Sequence, residues 1–154
     1  MINNVFGELT YDDYGWSGET TIDWFGEIIS VDLVVSGEED EEIDLLQCES
    51  YEKFRIAWNS IKDDILNRVL SYYKDLRCQL GYDDDSNVDY PEITTVNDIK
   101  EKIGIDTIVV PLSDIYNGRS IALAFHCQWD DENGLGIVLV NEEVYEIGYQ
   151  DIAF

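Results

Sequence analysis

His126 is the only histidine of the chain, and Cys127 follows it directly. A Ser-His-Asp or Cys-His machine would need that imidazole beside its nucleophile. Both residues fall in a run that alternates along 120–129, and neighbours on a strand point to opposite faces. The spacing therefore predicts a structural histidine rather than a nucleophile–base pair. Zinc would have to lean on carboxylates, because the cysteines (Cys48, Cys78 and Cys127) are scattered with no C-x-x-C pair. The H-E-x-x-H, G-x-S-x-G, Walker and G-x-G-x-x-G patterns do not occur. A calcium loop aligned on Asp83 places Asp85 and Asn87 at its third and fifth positions. It then puts Val88 where the tight turn wants glycine and Thr94 where a bidentate Glu belongs. Paired carboxylates for proton transfer do not stand out from a background of 34 acids. The reading is thus a protein with no catalytic residues, no cofactor and no dedicated metal.

What the carboxylates offer instead is a field. The chain carries 34 Asp and Glu against 9 Lys and Arg, a formal charge of −25 on 154 residues. Residues 48–79 hold six of those bases against five acids, so 29 acids elsewhere face only Lys100, Lys102 and Arg119. Such a surface repels nucleic acid and anionic membranes and draws basic proteins from beyond contact distance. Three clusters concentrate the charge: Glu38, Glu39, Asp40, Glu41 and Glu42; Asp83, Asp84 and Asp85; and Asp130, Asp131 and Glu132. Singly, each suits a solvated turn, and the first precedes a helical segment whose N-terminal dipole favours negative charge. Together with Glu19, Asp23 and Asp32 on outward faces of strands, they point to a basic protein partner, with the three clusters as its contact residues. Aromatics beside acids, such as Tyr14 and Trp16, or Tyr82 beside Asp83, are candidate anchors.

The elements that hold these residues show in the periodicity. Trp16, Ile22 and Trp24 share one face of a strand, with Ser17, Glu19, Thr21 and Asp23 on the other. Gly26 breaks the run, and Ile29, Val31, Leu33 and Val35 repeat it. An earlier strand over 5–11 completes a meander. From Tyr51 to Leu80, apolar residues recur every three or four positions, the stripe of one long kinked helix or of two nearly collinear ones, the second capped at Ser60. Gly81 stops it. Thr95 caps a short helix through Ile103, ended by Gly104. Strands follow over 108–112, 120–129, 136–140 and 144–148, with Asn133-Gly134 turning a hairpin. The strand over 120–129, apolar on both faces, belongs in the middle of its sheet. The expected fold is α+β, an antiparallel sheet of six to seven strands against one helical layer, in the order βββ-α-α-ββββ.

One domain spanning 1–154 accounts for the length, which buries roughly 70% of the unfolded surface. Hydrophobic residues at 45% and aromatics at 12% are too many for a disordered acidic tail. The amino terminus shows no basic region followed by an apolar run, and no apolar stretch approaches the ~20 residues of a membrane helix. An odd number of cysteines agrees with reduced thiols in the cytoplasm.

Two stretches carry a resemblance. Gln128-Trp129-Asp130-Asp131-Glu132-Asn133-Gly134-Leu135-Gly136-Ile137, closing with Glu146-Ile147-Gly148-Tyr149-Gln150-Asp151-Ile152-Ala153-Phe154, resembles the end of a family of small bacterial domains without assigned activity. Gln47-Cys48-Glu49-Ser50-Tyr51-Glu52-Lys53-Phe54, leading to Val69-Leu70-Ser71-Tyr72-Tyr73, is similar to that family's helical part. Some members of such families serve as immunity proteins beside polymorphic toxins. The resemblance implies an immunity-type protein that neutralises a basic toxin, in its sharpest form a nuclease whose phosphate-binding cleft must be basic. The rival readings are a DNA-mimic inhibitor, an enzyme using carboxylates or His126, and a housekeeping domain whose charge serves solubility.

Overall fold

A computed structural model describes residues 1–82 and 87–154. Nine strands, one long helix, one short helix and a closing 3-10 turn follow one another among the described residues. β1 (Ile2–Asn3) and β2 (Gly7–Glu8) form a small ribbon. β3 (Thr10–Asp12), β4 (Gly15–Trp24) and β5 (Glu27–Val35) precede helix α1 (Leu45–Gln79) and helix α2 (Val96–Lys100). β6 (Ile103–Val110), β7 (Ser120–Cys127), β8 (Leu135–Val140), β9 (Glu143–Gly148) and the 3-10 turn Gln150–Ala153 complete the chain.

The main sheet has seven strands in the order β3-β4-β5-β6-β7-β8-β9. It is mixed rather than antiparallel, because β5 and β6 pair in parallel with Val35 opposite Val110. The reason lies in α1. Its 35 residues span about 52 Å at ~1.5 Å per residue. One continuous helix carries the chain from the exit of β5 to the far end of the sheet, so the next strand must run in β5's direction. No second helix starts at Ser60. The start is also earlier than the apolar stripe shows: Asp44 caps the Leu46 amide, and Gln47 returns the bond to the Asp44 amide.

Other boundaries moved for local reasons. In place of the single strand expected over 5–11 stand two short ones, β2 and β3, and β1 turns into β2 where Asn3 Oδ1 accepts the amides of Val5 and Phe6 and Gly7 sits at φ +80°. Thr95 does cap α2, accepting the Asp98 amide, but the helix ends at Lys100. Gly104 is no stop signal. It sits inside β6 opposite His126, whose ring lies where a Gly104 Cβ would be.

Alternation assigns the faces as expected. Ile22, Val31, Leu33, Val35, Ile108, Leu123 and Phe125 are buried toward α1, which supplies Tyr51, Phe54, Trp58, Ile61, Ile65 and Val69. Beyond Val69 the buried line follows steps of four to Tyr73 and Arg77, leaving Leu80 exposed. β7 is interior, and its second face joins Ala122 and Ala124 to Val109, Val138 and Ala153 of the closing turn. Among the described residues no helix is long and apolar enough to cross a membrane.

Candidate functional site

The strands bring carboxylates together at the end of the sheet where β5 and β6 finish. The β3–β4 turn carries Asp12 and Asp13, and a Cβ on Gly15 there would stand 2.8 Å from the Val35 carbonyl oxygen. Glu38 to Glu42 leave β5 beside it, the Ser36 amide having bonded the Val110 carbonyl. Asp44 starts α1, and the Ser113 hydroxyl donates to its Oδ2 at 2.6 Å, fastening the 111–118 loop to the helix. Asp114 follows. Gln47, 2% exposed, locks the junction: its Nε2 donates to the carbonyls of Ser36 at 2.8 Å and Pro111 at 3.1 Å, with Val110 at 3.4 Å.

Glu38, Glu39, Asp40, Glu41 and Glu42 are all exposed. The ion pairs among the described residues engage Asp23, Asp64, Glu142 and Asp106, none of this group. The field is felt locally. Burial first, and then the Glu38 carboxylate, push the Tyr11 phenol up. Two acids here are held below the usual carboxylate range: Asp12 by the Ser17 hydroxyl and then the Tyr14 amide, Asp44 by the Ser113 hydroxyl and then the Leu46 amide. They keep their charge where a crowded carboxylate would tend to take up a proton.

Asp130, Asp131 and Glu132 lie elsewhere. They follow β7, whose first residue sits at the acidic end, so about 23 Å of strand at ~3.3 Å per residue separates the two clusters. Asp130 is spent on its own turn, accepting the Asn133 amide and side chain. Asp83, Asp84 and Asp85, with the calcium alignment that starts there, lie outside the described residues. Sequence reading missed Asp12, Asp13, Asp44 and Asp114, which are isolated or paired in sequence and join the cluster only through strand ends. Of the aromatic anchors, Tyr14 is 72% exposed, whereas Trp16 is buried edge-on to Tyr11.

A family model described as a domain of unknown function (DUF6985) matches residues 5–154. The chain belongs to that family. No curated protein and no solved structure matches it. Membership agrees with the expectation of an uncharacterised family, and the family's description names no activity.

The chemistry of the remaining candidates is plain. His126 is exposed and its Nδ1 stands 2.7 Å from Asp106 Oδ1. Cys127 points the other way into the core, where burial pushes its thiol up to about 11. An imidazole and a thiol on opposite faces of one strand do not make a nucleophile–base pair. Among the described residues no three His, Cys, Asp or Glu side chains gather as metal ligands.

Proposed function

We propose that this protein is an acidic immunity-type protein that binds and neutralises a basic bacterial toxin, a nuclease in the sharpest form of the reading. The observation that carries it is the convergence of Asp12, Asp13, Glu38 to Glu42 and Asp44 on one end of the sheet, with no base paired to the 38–42 loop among the described residues. Like charges held together on a folded surface oppose folding unless a partner uses them. A basic cleft is such a user: complementary charge raises association toward ~10⁸ to 10⁹ per molar per second. The 38–42 loop is the contact we favour, with Asp130 to Glu132 outside the same patch.

The test is affinity capture of the tagged protein from its native host, washed at low and then high salt. The expected result is one basic protein, near one to one, that kills cells when expressed alone and is blocked by this chain. Lysine at Glu38, Glu41 and Glu42 should then slow association and flatten its salt dependence. An unchanged association rate in a confirmed complex refutes the electrostatic mechanism. Competition by duplex DNA for the same partner site would favour the DNA-mimic reading instead.

A further inference from the structure

Two cavities run into one another across the face of the sheet that α1 leaves open, and a third joins them round the end of the sheet, beside the start of α1. The first, about 500 Å³, lies between Asp12, Asp32 and Thr107. The second, about 360 Å³, has Val34, Val109 and Ala122 as its floor. Tyr14, Val34 and Phe154 line both. The third, about 320 Å³, is a recess at the acidic end among Trp16, Glu38, Glu41 and Glu42, and it shares Ser36 and Leu112 with the second.

Three features characterise this band. Bulky apolar side chains gather on its rim: Tyr14, Phe154, Ile115 and Leu112 are 72%, 61%, 59% and 43% exposed. They stand over a floor that is itself apolar, which is the composition of a contact site rather than of scattered surface residues. Second, Trp16 is only 9% exposed, and its Nε1–H has no acceptor among the described residues. A buried indole N–H normally finds one. The ring forms part of the recess wall, with Trp16 Cδ1 3.8 Å from where a Gly37 Cβ would stand and Nε1 sealed from solvent behind it. Third, the charge is of one sign. Asp12, Asp13 and Asp32 edge the apolar part, Glu38, Glu41, Glu42 and Asp44 the recess, and neither Lys nor Arg lines any of the three cavities.

We propose that this band docks a single segment of a basic protein, one that presents a bulky apolar side chain next to a lysine or arginine. The apolar group sits between Tyr14, Phe154 and Ile115. The cation enters the recess beside Glu38, Glu41 and Glu42, against the wall that Trp16 forms. The inference rests on the proposed reading that the partner is a basic protein, and adds what part of it is recognised. Charge fixes the occupant: a second copy would bring carboxylates against carboxylates, and nucleic acid or an anionic bilayer would be repelled. Burial of the apolar anchor supplies the salt-independent part of the affinity, while the carboxylates set rate and register.

The experiment uses three fluorescein-labelled nonapeptides: one of Lys, Arg, Leu and Phe; one of equal charge with Ser for Leu and Phe; and a neutral one with Gln for Lys and Arg. Anisotropy is read at about 20 mM and about 300 mM NaCl, with the Trp16 indole resonance followed by ¹⁵N NMR. The first peptide should bind about 10-fold tighter than the second, keep that margin at high salt, and shift the indole signal. A Phe154→Ala, Ile115→Ser double variant should erase the margin, both residues being exposed and so harmless to folding. Glu41→Lys with Glu42→Lys should weaken binding chiefly at low salt. Equal binding of the first two peptides, a still Trp16 signal, or an unaffected double variant overturns the groove. Capture failing while the peptides bind would refute the toxin reading alone; a blocked toxin with peptides that do not bind would refute the groove alone.

Discussion

Gln47 is where the acidic end is tied to the fold, and Gln47→Met isolates that tie. Methionine matches the side chain in length and fits an apolar site but donates and accepts almost nothing. The Val110 carbonyl still accepts the Ser36 amide, so it stays satisfied. The carbonyls of Ser36 and Pro111 lose their donor, and the Asp44 amide loses its acceptor at 3.2 Å. A buried polar group left unpaired costs about 1–3 kcal/mol. These groups are only partly buried, so each falls at the low end, and the loss should come to about 2–3 kcal/mol. With ~2.1 cal/mol/K of unfolding entropy per residue over 154 residues, Tm should fall by about 6–9 °C. The assay is urea and thermal unfolding followed by tryptophan fluorescence at one fixed ionic strength. Gln47→Glu should be worse, because it sets a carboxylate against carbonyl oxygens, and that excess loss should grow as pH rises above the ~4.3 of an ordinary glutamate. A loss below about 0.5 kcal/mol in Gln47→Met would refute the claim that this amide holds the strand ends to the helix.

Other outcomes follow from charge, burial and capping. Raising NaCl from about 0.01 to 0.1 M shortens the screening length from roughly 30 to 10 Å, so Tm should climb by several degrees; a flat or falling Tm would show that self-repulsion is not a significant load. In the native state at pH 8, mass spectrometry after brief alkylation should find exposed Cys78 modified and buried Cys127, its thiol pushed up to about 11, untouched. Equal labelling of the two would mean the core opens there. Asp44, held below its ordinary pKa by Ser113, contributes stability that is present above the unfolded value of ~3.9 and lost as pH falls through the folded one. Ser113→Ala should therefore lower the urea midpoint at pH 7 and lower it less at pH 3, and a gap that widens with acid would contradict that assignment.

Periodicity carried most of the fold. The alternation in β4, β5 and β7 and the three-four stripe of α1 identify which side of each element is apolar, and the structure buries those sides. Asn133-Gly134 and Thr95 did their local work at the expected places. The helix start was also written in the sequence, as Asp44 with Gln47, but an apolar stripe does not register a polar cap. Tyr73 and Arg77 were hidden for a related reason. Both are buried because the chain folds back on them: the Tyr73 hydroxyl donates to the Pro91 carbonyl, and Arg77 donates to those of Tyr82 and Tyr90.

The sequence by itself determined the charge, the face of each strand and the existence of one helical layer, because these depend on residue type and on spacings of two and three to four. It could not decide that β5 and β6 are parallel neighbours. That follows from where an unbroken 35-residue helix delivers the chain. Nor could it decide which acids act together. Asp12, Asp44 and the 38–42 loop meet because three elements begin or end at one edge of the sheet, while Asp130 to Glu132, as acidic on paper, are carried a strand's length away. Coulomb interactions depend on distance through space, and only the tertiary structure sets that distance.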